Sequence, residues 1–355
     1  MTYTLRASQD LSENQIFDIL CQMVTRLPDL VISTAYARGT RGVRVGAFGA
    51  VTPVQVPAAR RHSPLVVKMN QTRSQYKDFI REAQLLHSLN HTHIVSCPGM
   101  AWIPRWERVL ILMPRLEVTL LDCMRHQQLP WSTGYRVCRQ TGDALVYLHG
   151  QNIIHRDLTT SNIMLSCAPA GKAVIVDFGR AMNEGARNPN TQRIPGHSSH
   201  TMFGALVNLR LQSGDLRLAP EMFFGRHVAA TGDIYGWGLL LLQALRGDPF
   251  WISWTNVPSC QFGLDCRPGQ PHLSHYMTEL EHIRSCIDYV PTWSMSDTVV
   301  CQTEPAALLE VQRLARSCLD LDPQQRPQTM SAALAVLRCL EPRLGVDNDE
   351  GHGCT

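Results

Sequence analysis

Two short stretches of the chain concentrate residue types that do polar chemistry. One is His155-Arg156-Asp157-Leu158-Thr159-Thr160-Ser161-Asn162. The other is Asp177-Phe178-Gly179, which follows a short apolar run, Ala173 to Val176. A carboxylate can orient a hydroxyl and take its proton. An amide beside a carboxylate makes a reasonable magnesium site, because that ion keeps waters and phosphate oxygens as its remaining ligands. A buried structural aspartate would account for one such residue but not for the ordered set. Upstream, Val66-Val67-Lys68-Met69 is an apolar run carrying a single lysine, and Glu82 follows fourteen residues later. A second polar group, Cys260, Cys266, His272 and His275, lies in irregular sequence and fits no common zinc spacing, so it reads as a loop.

With its motifs in this order the chain resembles the protein-kinase family. The first stretch is similar to the catalytic loop H-R-D-x-x-x-x-N, the second to the metal-binding D-F-G. The resemblance implies that Asp157 is the base and that Asn162 and Asp177 are the magnesium ligands. It also implies that Lys68 clamps the phosphates of ATP and is held by Glu82. The run Arg44-Val45-Gly46-Ala47-Phe48-Gly49-Ala50-Val51 is similar to the glycine-rich loop G-x-G-x-x-G-x-V, with Arg44 at the first glycine position. Gly46 and Gly49 leave backbone N–H groups able to approach phosphates, and the nucleotide-covering stretch begins at Val43. In Val109-Leu110-Ile111-Leu112-Met113-Pro114-Arg115-Leu116, the resemblance implies Leu110 at the back of the adenine pocket. Ile111 to Met113 would be the hinge whose backbone meets adenine edges, and Pro114 would lead into a second lobe. Met113-Pro114-Arg115 is also similar to the compact kinases of large DNA viruses.

Three further stretches extend the resemblance over about residues 36 to 341. Ala219-Pro220-Glu221 resembles the A-P-E that closes the activation segment. Asp233-Ile234-Tyr235-Gly236-Trp237-Gly238 resembles the buried helix whose aspartate holds the catalytic-loop backbone. Asp322-Pro323-Gln324-Gln325-Arg326-Pro327 resembles D-P-x-x-R-P, whose arginine pairs with the A-P-E glutamate. Glu221 and Arg326 are then structural, since a buried charge needs its partner.

The departures from the family pattern are specific. Two residues past Asp157, where the family has lysine in serine/threonine kinases or alanine in tyrosine kinases, stands Thr159. That removes a cation near the transferring phosphoryl group. Before Ala219, Gly214-Asp215-Leu216-Arg217-Leu218 replaces the usual threonine-plus-aromatic pattern. The lysine and that threonine normally interact, so their joint absence is self-consistent. No tyrosine-kinase signature follows Glu221, which favours serine/threonine acceptors. Between Asp177 and Glu221 lie Thr191, Ser198, Ser199 and Thr201. A phosphate there could pair with Arg156, or the hydroxyls could be incidental to a polar loop. The leading reading is an ATP- and magnesium-dependent protein kinase acting on protein substrates. The alternatives are a pseudokinase scaffold and a small-molecule phosphotransferase of related fold.

These residues need elements to hold them, and the pattern predicts an α+β, two-lobed architecture. Residues 1–35 read as a helical extension, with an apolar stripe from Leu11 to Leu27 behind a capping box of Ser12 and Gln15. Residues 36–113 read as a strand-rich lobe. In it, Pro53 and Pro57 demote the second strand to a frayed or edge position, and Lys77 to Asn90 forms a helix. Met100 to Ile103 and Val109 to Met113 read as strands. Residues 114–341 read as a helical lobe with a loop insertion at about 251–303, and residues 342–355 as a polar, mobile tail. The 355 residues, 44% hydrophobic and 18% charged, suffice for one large domain or two modest ones with a real core. A net charge of +3 is too small to imply nucleic acid or an anionic membrane as main partner. No apolar run approaches the ~18 residues of a membrane span, and the start lacks a signal-peptide pattern. The 12 cysteines are scattered without a CxxC pair, as expected of reduced intracellular thiols. Oligomeric state is not readable.

Overall fold

The computed structural model describes residues 2–4, 44–46, 49–54, 65–70, 75–103, 108–126, 129–166, 171–186, 219, 221, 228–246, 305–320 and 322–344. The predicted helix over 11–27, Val43, Ala47, Phe48, the hydroxyls at 191–201, Pro220, the 251–303 stretch with its Cys/His group, and the tail from Gly345 all lie outside them. The chain divides into two units. One comprises Met1–Glu117 with Val176–Gly179, the other Val118–Ile175 with Arg180–Thr355. The first division falls after Glu117, beyond the expected Pro114, and the D-F-G segment groups with the first unit.

The first unit is built on a six-stranded sheet of order β1-β5-β6-β4-β3-β2. Its strands are β1 (Thr2–Thr4), β2 (Arg44–Gly46), β3 (Gly49–Val54), β4 (Leu65–Met69), β5 (Gly99–Ile103) and β6 (Arg108–Pro114). Short continuous apolar runs suit strands flanked on both sides. Accordingly β6 lies between β4 and β5, and Val109 to Met113 are all buried. Pro114 does not leave the sheet, as expected of a connector; it is the last residue of β6 and sits opposite Leu65. Nor is β3 an edge strand, since it runs between β2 and β4. The expectation from Pro53 holds only locally. The described β2 pairs stop at Arg44 opposite Val51, so Pro53, opposite Val66, has one laddered side among the described residues. Its missing N–H therefore leaves no second ladder broken. Strand β1 was not expected: three residues of the presumed helical extension run parallel to β5, Thr2 opposite Met100 and Thr4 opposite Trp102.

Helix α1 (Tyr76–Ser88) packs on β5 and β6. It buries Phe79, Glu82, Ala83 and Leu86, the i, i+3, i+4, i+7 stripe of a core-facing helix. A glutamate on that stripe must meet a partner, because an unpaired buried charge is costly.

The second unit is mainly helical. Its elements are β7 (Val118–Thr119), α2 (Leu120–His126), α3 (Trp131–Gly150), β8 (Ile153–Ile154), β9 (Ile163–Ser166) and β10 (Lys172–Ile175). There follow β11 (Met182–Asn183), α4 (Ala230–Arg246), α5 (Pro305–Cys318) and α6 (Met330–Leu340). Helix α4 is buried over residues 230–245 and packs against α3 and α5, as an all-round apolar helix must. The approach to α5 is close. A Cβ on Gly238 would lie 2.6 Å from the Cβ of Cys318, inside any tolerable contact. Two small ladders, β10-β9-β7 and β11-β8, bracket the 155–162 loop. Among the described residues, no helix is long and apolar enough to cross a membrane.

Candidate active site

In the first unit the sheet carries Lys68 on β4, between Val51 on β3 and Ile111 on β6. Its side chain is buried, and its Nζ lies 2.7 Å from Glu82 Oε1 and 2.8 Å from Asp177 Oδ1. The ammonium also sits 5.3 Å from the Phe79 ring centroid, a cation–π contact. Glu82 Oε1 accepts a second bond, from Phe178 N at 3.2 Å. Asp177 has φ of 63°, left-handed backbone that costs a non-glycine residue ~1–3 kcal/mol. Its Oδ1 also accepts from Gly179 N at 3.4 Å.

Charge in this cluster is unbalanced: two carboxylates share one ammonium. Burial works against the Lys68 charge, yet Glu82 and Asp177 outweigh it and hold the ammonium above its ordinary pKa. Glu82 is likewise pushed up, first by burial and further by Asp177, with Lys68 opposing. Glu82 Oε2 is buried with no hydrogen-bond partner among the described residues.

The second unit holds the 155–162 loop. Asn162 Nδ2 donates to the Asp157 main-chain oxygen at 2.9 Å and to Asp157 Oδ2 at 3.2 Å. That uses the nitrogen end of the amide and presents its oxygen as the donor atom toward a hard cation, the chemistry magnesium requires. The amide oxygen suits a hard divalent ion, while no group of three or more His, Cys, Asp or Glu among the described residues is placed to hold a metal by itself. Thr159 is buried, and its hydroxyl accepts from Asn162 N at 3.3 Å, closing the turn.

Beneath the loop, Asp233 of α4 accepts from His155 N and Arg156 N, each at 2.8 Å, and lies 3.0 Å from His149 Nε2. Burial alone would raise this carboxyl. The hydrogen bond and charge of His149, the charge of His155 and the Arg156 N–H together hold it below the usual carboxylate range. Each guanidinium nitrogen of Arg326 is paired. The side chain donates to both Glu221 oxygens at 2.5 and 2.9 Å, to Asp320 O at 2.7 Å and to Thr231 O at 2.9 Å, over the Tyr235 ring.

The structure thus joins Lys68, Glu82 and Asp177 in one unit and Asp157 and Asn162 in the other. In the glycine-rich stretch, Arg44, Val45 and Gly46 face Val51, Ala50 and Gly49 across the antiparallel β2–β3 pair. Ile111 does not sit at an open hinge. It is laddered on both sides, opposite Lys68 on β4 and Met100 on β5, so neighbouring strands take its backbone groups. Met113 is the second residue past Ile111 and pairs only with Val66 among the described residues. Two residues escaped the sequence reading. His149 carried no signal beyond its place at the end of a helix. Arg180, which follows the D-F-G, lies with Nη1 3.7 Å from Asp157 Oδ1.

The chain also resembles known proteins in sequence. The protein kinase domain family matches residues 43–336. A G-type lectin S-receptor-like serine/threonine-protein kinase of Arabidopsis thaliana is 28% identical over 68% of this chain and 27% of its own length. An EPD1-interacting receptor-like cytoplasmic serine/threonine-protein kinase of Nicotiana benthamiana is 26% identical over 68% of this chain and 50% of its own. Serine/threonine-protein kinase ULK3 of Homo sapiens is 25% identical over 63% and 43%. The chain therefore spans half or less of the length of these curated relatives. With the family matched over most of its residues, and with the ion pairs, loop and buried aspartate of that fold in place, the chain belongs to the protein kinase domain family.

Proposed function

We propose that the protein transfers the γ-phosphoryl group of ATP to serine or threonine hydroxyls of protein substrates. The observation that carries the reading is the pinned Asp157–Asn162 pair, in which the amide nitrogen fixes the carboxylate. Fixed in this way, Asp157 can accept the proton of an incoming hydroxyl in the right geometry. Lys68, held charged by Glu82, would orient the α- and β-phosphates. Asn162 and Asp177 would hold a magnesium ion, which supplies charge neutralisation over the phosphates. In this reading the Lys68–Asp177 contact of 2.8 Å is exchangeable, because Lys68 turns to phosphate oxygens when nucleotide binds. The serine/threonine preference is supported by the relatives' names and by the absence of a tyrosine-kinase signature after Glu221. An intracellular setting, expected from the cysteines, is part of the same proposal.

Arg44 and Thr159, which depart from the family at the phosphates, favour a second reading as a scaffold without turnover. One experiment separates the two. Purified protein is incubated with γ-labelled ATP and a generic protein substrate, with magnesium or with chelator, and the labelled amino acid is identified. Magnesium-dependent phosphoserine or phosphothreonine is expected. Asp157→Asn should lose ~10²-fold or more in turnover at unchanged melting temperature. Label that survives undiminished in Asp157→Asn would remove the base assignment. Phosphotyrosine alone would overturn the acceptor class, and no label in the wild type would favour the scaffold.

A further inference from the structure

The loss of the loop lysine at Thr159 raises a question of charge. A lysine two residues past the base would place a cation beside the base and the incoming phosphoryl group. Thr159 is buried, and its hydroxyl is used within the turn, accepting from Asn162 N. Nothing at that position carries charge, and a phosphoryl transfer in this loop still needs positive potential where negative charge accumulates.

The cation is present, but it comes from a different segment. Strand β11 pairs antiparallel with β8, Met182 opposite Ile154. This register lays the two residues before Met182 alongside the two after Ile154, so Arg180 comes beside Arg156 and Asp157. Arg156 then fixes the main chain there: its Nη1 donates to Arg180 O at 3.3 Å and contacts Met182 Sδ at 2.8 Å. Arg156 itself has φ of 66°, so the loop backbone accepts strain to hold this side chain in place. With its backbone anchored, Arg180 directs its guanidinium to Asp157 Oδ1 at 3.7 Å. Asp157 is 12% exposed at its side chain and Arg180 is 28%, so solvent screens the pair only partly. The distance is too long for a hydrogen bond. The interaction is electrostatic, and Asp157 Oδ2 remains bonded to Asn162. Burial and the neighbouring Arg180 charge both lower the Arg156 pKa, as two cations packed side by side require.

We propose that Arg180 takes over the work of the missing loop lysine, positioning the Asp157 carboxylate and supplying the positive charge beside it during phosphoryl transfer. The chain has moved that cation from the loop to the residue after Asp177-Phe178-Gly179. The inference rests on the reading of Asp157 as the base.

The test is steady-state kinetics on the full chain with magnesium-ATP. Arg180→Met should lower kcat by about 10- to 100-fold, at or below the ~10²–10³-fold cost of removing one preorganised donor because the contact is long and partly screened, while KM for ATP stays within about threefold, since uniform binding is untouched. Arg180→Lys should keep most of the turnover. Thr159→Lys added to Arg180→Met should recover about tenfold, because it returns the cation to the loop. Melting temperatures of all variants accompany the rates; where Thr159→Lys unfolds the protein, Arg180→Lys decides. Wild-type kcat in Arg180→Met overturns the proposal. So does a loss in Arg180→Met that neither lysine variant restores in a folded protein. Asp157→Asn run alongside keeps the failures apart. An inactive wild type fells the kinase reading, an active Asp157→Asn fells the reading of Asp157 as the base, and either takes this proposal with it. An active wild type, dead Asp157→Asn and unaffected Arg180→Met fell this proposal alone.

Discussion

Both units bury a cation against a carboxylate, but they do it differently. In the second unit each guanidinium nitrogen of Arg326 has a partner, from two Glu221 oxygens and two main-chain carbonyls, with Tyr235 beneath. In the first unit Lys68 is divided between Glu82 and Asp177, and Glu82 Oε2 has no hydrogen-bond partner among the described residues. A saturated pair is a fixture, because no rearrangement improves it. An unbalanced cluster with two anions for one cation is poised to exchange partners, because another charged group can enter at little cost. The contrast is between a charge whose partners are all in place and a charge shared between two carboxylates.

The sharpest way to break this contrast is at the fixture. Arg326→Ala should destabilise the second unit by up to ~3–5 kcal/mol, because Glu221, whose side chain is 17% exposed, and the main-chain carbonyls of Asp320 and Thr231 lose their partner. Glu221→Gln combined with Arg326→Met should cost less than the two single changes together. Strict additivity in a denaturant double-mutant cycle would show that the two residues are not coupled.

The next effect is catalytic. Lys68→Met should lose ~10²-fold or more in turnover, equivalent to ~3 kcal/mol at the transition state. Its unfolding free energy should fall by less than that of Arg326→Ala, because Glu82, already pushed toward its protonated form, can take up a proton instead. Unfolding titrations of the two variants side by side make the comparison. A Lys68→Met protein as destabilised as Arg326→Ala would mean that both clusters are structural.

The smallest effect is on pH. The Asp233 carboxyl is held below its ordinary range. A group with a depressed folded pKa contributes stability that is fully present above its unfolded pKa, about 4, and is lost as pH falls through the folded value. Wild-type stability from this group should therefore be flat from neutral pH to about 4 and decline below. Asp233→Asn should be less stable at neutral pH and show a shallower acid limb. Identical acid slopes for wild type and variant would remove the linkage.

Legibility differed between residues for physical reasons. Lys68 and Glu82 could be paired from sequence because each sits on a regular element: a lysine in an apolar strand and a glutamate on the buried stripe of α1. Neither charge is tolerable there alone. The Glu221–Arg326 pair was readable through its motifs, and geometry bears it out. Ile111 was misplaced because an apolar run shows that a strand exists but not where its neighbours stop. The end of β5 opposite Leu112 is fixed by pairing, and pairing is not written in β6 itself. Strand β1 was missed for the same reason, since three residues carry no period.

Read alone, the residues settle which groups are available: a carboxylate able to accept a proton, hard oxygen donors, a lysine with its glutamate and a buried aspartate under the loop. Residue type and local spacing carry those properties, because hydrogen-bonding capacity, charge and strand or helix periodicity are local. Which charges meet across distant segments is fixed by folding. Arg180 reaches Asp157 through the β8–β11 register and the Arg156 anchor, and His149 reaches Asp233 through the packing of α3 on α4. Such contacts depend on how strands align and helices cross, and those are set by burial over the whole unit rather than by any residue's neighbours in the chain.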